Sequence, residues 1–394
     1  MALGQEGDAR VSLSHRERVI RALNHQETDR VPVDLAGGPA TMIQPDAYRA
    51  LLRHLGFPDE GELVEGMSGE GQVVIPSERV LRRFDIDVRG FQLHAPSGTP
   101  IVTLGPNSYV DEWGVTWEKA GPTAPYINVH GPFQDLDEPE VKDVEAARWP
   151  IGGDPARAAG LRAAMEELRR TSDYAIVLNL PNSTFALSQR LRGFSELFED
   201  LLLYPAFAAA LQERVTDVIC DMATVALRDV GHLIDGVSFA DDMGTQTQSY
   251  MSPTLYHSMV KPHHARFVAT LRALTPARII MHSDGAIHEL LPDLIDAGVE
   301  VINPVQVNAE GMDPERLKRE FGADLCFWGG VDTQKVLPYG SPADVADEVR
   351  RRLKDLGRGG GYVLASVHNI QAEVPPQNVV AMFDTALAAG ARAG

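Results

Sequence analysis

Arg278-Ile279-Ile280-Met281-His282-Ser283-Asp284-Gly285 is a short apolar run that ends abruptly in ionisable and hydrogen-bonding residues and a glycine. A run of this length closed by turn formers reads as a buried strand. The same form recurs at 31–35, 84–88, 175–180, 234–240, 299–303, 325–329 and 361–365. Helical stretches separate these runs, including 156–170, 205–229, 253–274, 287–297 and 343–356. Ser14-His15-Arg16-Glu17 is a capping box that opens a first helix through about Asn24. Eight buried-type strands alternating with helices predict a parallel sheet of the α/β class, and eight is the number that closes a (β/α)8 TIM barrel. A doubly wound open sheet competes, but no GxGxxG follows the first strand.

One barrel domain is expected over 12–390, with 1–11 as a flexible tail and an insertion at about 92–135 after the second strand. Thr99-Pro100-Ile101-Val102-Thr103-Leu104, the turn Gly105-Pro106-Asn107 and Trp113-Gly114-Val115-Thr116-Trp117 make this insertion a small β-hairpin that covers the barrel mouth. Of the 394 residues, 44% are hydrophobic and 23% charged, which suits a globular protein and excludes collagen, coiled-coil and disordered classes. The 36 Lys+Arg against 55 Asp+Glu give a net charge of −19. Such a surface repels nucleic-acid phosphates and anionic lipid, so neither nucleic acid nor membrane is an expected partner. No apolar run reaches the roughly 20 residues needed to span a bilayer. The start of the chain has no signal-peptide pattern, and a cytoplasmic location is expected. Cys326, in the apolar run Leu325-Cys326-Phe327-Trp328, reads as a buried structural thiol.

In a (β/α)8 barrel, chemistry sits at the carboxyl ends of the strands. Those ends carry Asp34, then Asp87 and Arg89, then Asn179-Leu180-Pro181-Asn182, then Asp241-Asp242-Met243-Gly244-Thr245-Gln246. His282-Ser283-Asp284-Gly285, Asn303-Pro304-Val305-Gln306, Gly329-Gly330-Val331-Asp332 and Ser366-Val367-His368-Asn369 follow. His282 and Asp284, two apart on a strand, share a side, and with His368 they form a nitrogen-oxygen donor set for a divalent metal with positions left open for substrate. The competing reading is a metal-free polar cluster in which Asp284 caps the helix starting near Ile287. Asp241-Asp242 is either a pair of acids sharing a site for acid–base work or one inward carboxylate beside a capping neighbour. Asp34, Arg89, Asn179, Gln246, Gln306 and Asp332 are candidate substrate-positioning groups. His263-His264 read as surface histidines on a helix, and Ser252-Pro253 as a helix start.

These motifs resemble those of the uroporphyrinogen decarboxylase superfamily, barrels that include decarboxylases and corrinoid-linked methyltransferases. The resemblance runs over about residues 14 to 388: Arg16-Glu17-Arg18-Val19-Ile20-Arg21-Ala22-Leu23, Asp29-Arg30-Val31-Pro32-Val33, the Asp241, His282, Asn303 and Gly329 motifs, and His368-Asn369-Ile370 with Val374-Pro375-Pro376-Gln377-Asn378. True decarboxylases of the family hold their polyacidic substrate with an arginine-rich segment after the first strand. Here that segment is Asp34-Leu35-Ala36-Gly37-Gly38-Pro39-Ala40, without arginine, and a family active-site tyrosine aligns with Gln189. The resemblance therefore implies a relative that is not a uroporphyrinogen decarboxylase. Its methyltransferase branch places a zinc site of one His and two Cys at positions matching His282, Asp284 and His368. Oxygen and nitrogen in place of both thiolates make the site harder, better suited to an alcohol, phenol or water than to a thiol.

The expected activity is metal-dependent methyl transfer between a small methylated substrate and a corrinoid protein or thiol. Zinc is the expected metal, and a partner protein is expected to carry the corrinoid. Asp241, Asp242 and His368 are the expected catalytic residues. The alternatives are a lyase or decarboxylase acting on a small carboxylic acid through His368 and an acid of the Asp241-Asp242 pair, and a barrel that only binds a ligand.

Overall fold

The computed structural model describes residues 12–65, 72–98, 101–121, 124, 126–181 and 183–391. The tail 1–11, Thr99, Pro100 and Asn182, all read in the sequence, lie outside the described residues. Seven parallel strands stand in chain order around one sheet: Val88–Gln92, Ala175–Asn179, Gly236–Ala240, Arg278–His282, Val301–Asn303, Cys326–Trp328 and Tyr362–Val363. The first expected strand closes the ring. Val33 bridges Leu364 in parallel. On its other side, the Asp87 and Gly90 amides donate to the Val33 and Ala36 carbonyls. The chain is a (β/α)8 barrel.

Residues alternating along these strands fill its interior. Val88, Ala175, Val177, Ile280, Val301, Cys326, Trp328 and Val363 form one buried cluster, sealed below by Val19 and Leu23 of the helix His15–Leu23. That helix carries the expected capping box. Both cysteines are free, and burial pushes the Cys326 thiol up to about 11, as suits a packing residue.

The second strand lies four residues later than its sequence signal. Residues 84–88 pattern like a strand because Phe84, Ile86 and Val88 are all fully buried. Phe84, however, ends the helix Glu78–Arg83 and stacks on Phe383 at 4.9 Å. Asp87 and Arg89 consequently sit near the amino-terminal end of the barrel. Asp87 binds Arg18 and Arg30 at 2.6 Å each, and Arg89 binds Glu78 at 2.7 Å and covers the Tyr174 ring. The expected helix 253–274 is broken into Pro253–Met259 and Lys261–Leu274, where Pro262 has no amide hydrogen to continue the ladder.

The insertion is larger than a hairpin. Val102–Gly105, Ser108–Val110, Thr116–Glu118 and Ile127–His130 form a four-stranded antiparallel sheet, pinned by Trp117 donating to Asp111 at 2.8 Å. A second hairpin, Gly61–Glu65 with Gln72–Pro76, had no clear sequence signal. No helix of the described residues is long and apolar enough to cross a membrane.

Candidate functional site

A cavity of about 920 Å³, counted out to its open mouth, enters the carboxyl end of the barrel. Its floor and walls are Val177, Leu180, Phe239, Ile280 and Trp328, with Val73 from the unforeseen hairpin. Residues 37–41 form one side. That segment dips so far into the mouth that a side chain at Gly90 would lie 2.4 Å from the Gly37 carbonyl. Asn179 pins it by donating to that carbonyl at 2.7 Å. Asp34 holds it from beneath, accepting the Ala36 and Gly37 amides and the Trp328 indole. Burial still raises the Asp34 pKa despite these three donors.

His282, His368 and Asp284 converge at the rim, with one donor atom from each lying within 4.8 Å of the others. The two imidazole rings are 5.6 Å apart. The far nitrogen of each ring is held by a carboxamide. Asn303 donates to the Trp328 carbonyl, so its Oδ1 faces His282 Nδ1 at 2.8 Å. Asn369 Oδ1 lies 2.7 Å from His368 Nδ1 and also accepts from Gln371. Each acceptor takes the Nδ1 proton and turns the Nε2 edge of its ring away from itself. Two imidazole nitrogens and a carboxylate are a donor set that fits a divalent cation such as zinc. Asp284 is not a helix cap, because the N-cap of the turn His288–Leu290 is Ile287.

The adjacent acids divide. Asp242 Oδ1 accepts the Asp284 amide at 2.9 Å and lies 3.9 Å from His282 Nε2, so it belongs to the cluster. Asp241 does not reach the cavity, which corrects its expected catalytic role. It accepts the Phe185 and Ala186 amides at 2.9 and 2.6 Å, the start of the helix Thr184–Arg192, and His264 Nε2 at 2.8 Å. His263 and His264 are buried, not surface residues. Burial lowers the His263 pKa to about 4.

The remaining candidates scatter. Gln306 stands one layer out, accepting the Gly285 amide at 2.6 Å. Asp332 orders its own loop through Asn308 and the Gln334 and Lys335 amides. Gln246 is exposed, and its carbonyl accepts the Glu310 amide. Arg89 lies near the other end of the barrel. Gln189 is absent from the cavity lining, as is every described residue of 93–135. The expectation that the insertion covers the mouth therefore has no support from the lining. Gln92, Ser238, Asn303, Trp328 and Asn369 do line the cavity. For the strand residues the one usable cue is period-two alternation: Ser238 and Ala240 on one strand, and Ile280 and His282 on the next, line the same cavity.

The family model for uroporphyrinogen decarboxylase matches residues 132–388. Among solved structures, a methyltransferase from Methanosarcina mazei is similar with a TM-score of 0.65 at 15% identity, over 96% of this chain and 99% of that one. A hyperthermophilic β-glucosidase mutant is more distant, with a TM-score of 0.42 at 12% identity over 77% and 86% of the two chains. No curated protein sequence matches the chain.

Proposed function

The chain belongs to the uroporphyrinogen decarboxylase family, and from that premise we propose that it moves a methyl group between a small methylated substrate and a corrinoid protein or thiol. The observation that carries this reading is the convergence of His282, His368 and Asp284 at the rim, both imidazoles oriented by carboxamides. A divalent cation, when bound there, would supply Lewis acidity toward a substrate oxygen.

The chain's own groups supply the rest. Asn303 and Asn369 keep the imidazole lone pairs aimed at one point. The apolar wall of Val177, Ile280 and Trp328 excludes water from the substrate body. The acceptor contributes the electron pair of the new bond to carbon. The departing oxygen or nitrogen keeps the pair of the broken bond and takes a proton. Asp242, part-exposed beside His282, is placed to relay that proton. A thiol or a reduced corrinoid carried by another protein meets the methyl group at the open mouth. Asp241 acts one step removed, by holding the loop that carries Asp242.

The test is to incubate the zinc-supplemented protein with a panel of methyl ethers and methylamines and a reduced corrinoid protein, or a thiol, and to follow methylated product. Formation of methylated corrinoid or thioether supports the proposal. Its absence across the panel, from folded and metal-loaded protein, rejects it.

A further inference from the structure

The cavity lining combines imidazoles at the rim with neutral hydrogen-bonding groups deeper along the strands. The imidazoles belong to His282 and His368. Gln92, Asn179 and Ser238 follow one another across three adjacent strands, since Gln92 pairs with Asn179 and Asn179 with Ser238, and Ser238 pairs in turn with Ile280, two residues before His282. Asn179 is committed to the Gly37 and Phe91 carbonyls. The Gln92 and Ser238 side chains make no hydrogen bond to any described residue, so an amide and a hydroxyl remain for a ligand. Among the described residues lining the cavity there is no Lys or Arg.

We propose that this cavity is built for an uncharged molecule that presents an amide, alcohol or phenol group to Gln92 and Ser238 and its methyl-bearing end to His282, and that it rejects carboxylates and phosphates. A buried carboxylate without a cationic partner loses its hydration for two neutral hydrogen bonds, which is unfavourable. At the rim, Asp242 and Asp284 set two carboxylates beside His282, which disfavours a further anion there. Neutral donors such as Gln92 and Ser238 instead suit a neutral partner, and a site built to hydrogen-bond discriminates strongly against a ligand that leaves its groups unpaired.

The inference rests on the cavity being the substrate site, not on methyl transfer itself. Its test therefore uses binding alone. 4-Methoxybenzamide and 4-methoxybenzoate share shape and differ in charge. Isothermal titration, with zinc and again after chelation, should show the amide binding at least tenfold more tightly in both conditions. Gln92→Lys, checked for folding by its melting temperature, should shift the ratio toward the benzoate by tenfold or more. Equal or tighter benzoate binding to the unaltered protein, no binding of either compound, or an unchanged ratio in folded Gln92→Lys overturns the inference. Amide-selective binding without methyl transfer leaves it standing while rejecting the proposed reaction.

Discussion

Asp241 Oδ2 and His264 Nε2 lie 2.8 Å apart with both side chains sealed from solvent. Because the carboxylate only accepts, Nε2 carries a proton, and Nδ1 shares a hydrogen bond with the Tyr256 hydroxyl at 2.9 Å. This chain of three side chains ties the helix Lys261–Leu274 to the loop holding Asp242, and the Phe185 and Ala186 amides complete the carboxylate's shell. Asp241→Ala strands an imidazole and two helix-start amides in the interior. A loss of about 3–5 kcal/mol in urea unfolding is expected, against about 0.5–1.5 kcal/mol for Tyr256→Phe, which removes one neutral bond. Asp241→Ala within 1 kcal/mol of the unaltered protein, on the same approximate scale, would show that the shell is not stabilising.

Gly285 joins the two acidic loops by direct backbone contact. Its φ is +93°, and a Cβ there would lie 2.2 Å from the Gly244 carbonyl oxygen. Neither backbone can yield without moving Asp242 or Asp284. Gly285→Ala is therefore expected to cost about 1–3 kcal/mol from conformation alone, with more from the clash. Metal affinity should fall with it, because Asp284 is the next residue. Unchanged unfolding and unchanged metal binding in this variant would contradict the contact.

The barrel was legible because its strands are apolar runs closed by turn residues, and the rim cluster because His282 and Asp284 follow such a run directly. Legibility failed where one pattern has two physical causes. Phe84, Ile86 and Val88 are buried at alternate positions, yet the first of them caps a helix, and so Arg89 was assigned to the wrong end. His263 and His264 follow Lys261 and look like part of a charged face. His264 is held by Asp241 and Tyr256, and His263 faces Glu213, partners that sequence proximity cannot reveal. Gln92 and Ser238 were missed because isolated polar residues in or beside apolar runs carry no motif. Only the closed barrel turns them inward.

The opposite end of the barrel should report on pH. His15 lies 2.9 Å from Asp85 and 2.8 Å from Asp173. Burial opposes its charge, but the two carboxylates outweigh burial and raise its pKa above 6.5. A raised histidine contributes stability that is complete below its unfolded pKa and is lost as pH rises through its folded one. The melting temperature of His15→Gln should thus fall below that of the unaltered protein by about 1–3 °C at pH 5.5, and the gap should close by about pH 8.5. A gap constant over that range would mean that His15 acts by packing rather than charge.

The carboxamides offer the sharpest test of the rim cluster, because they touch no metal themselves. If Asn303 fixes the His282 tautomer, Asn303→Leu frees the ring to rotate and to place its proton on Nε2, against the cation. Zinc affinity should drop by about 10–100-fold in a competition titration, while His282→Ala, which removes a donor outright, should drop it further. Asn303→Asp keeps an acceptor at the same place and should retain affinity close to the unaltered protein. The graded order Asn, Asp, Leu is the signature of hydrogen-bond orientation, since a purely structural role would penalise a buried Asp at least as much as Leu. Zinc binding that is absent from the unaltered protein, or equal in all four proteins, would remove the metal from the site. It would leave His368 as a proton donor in its place.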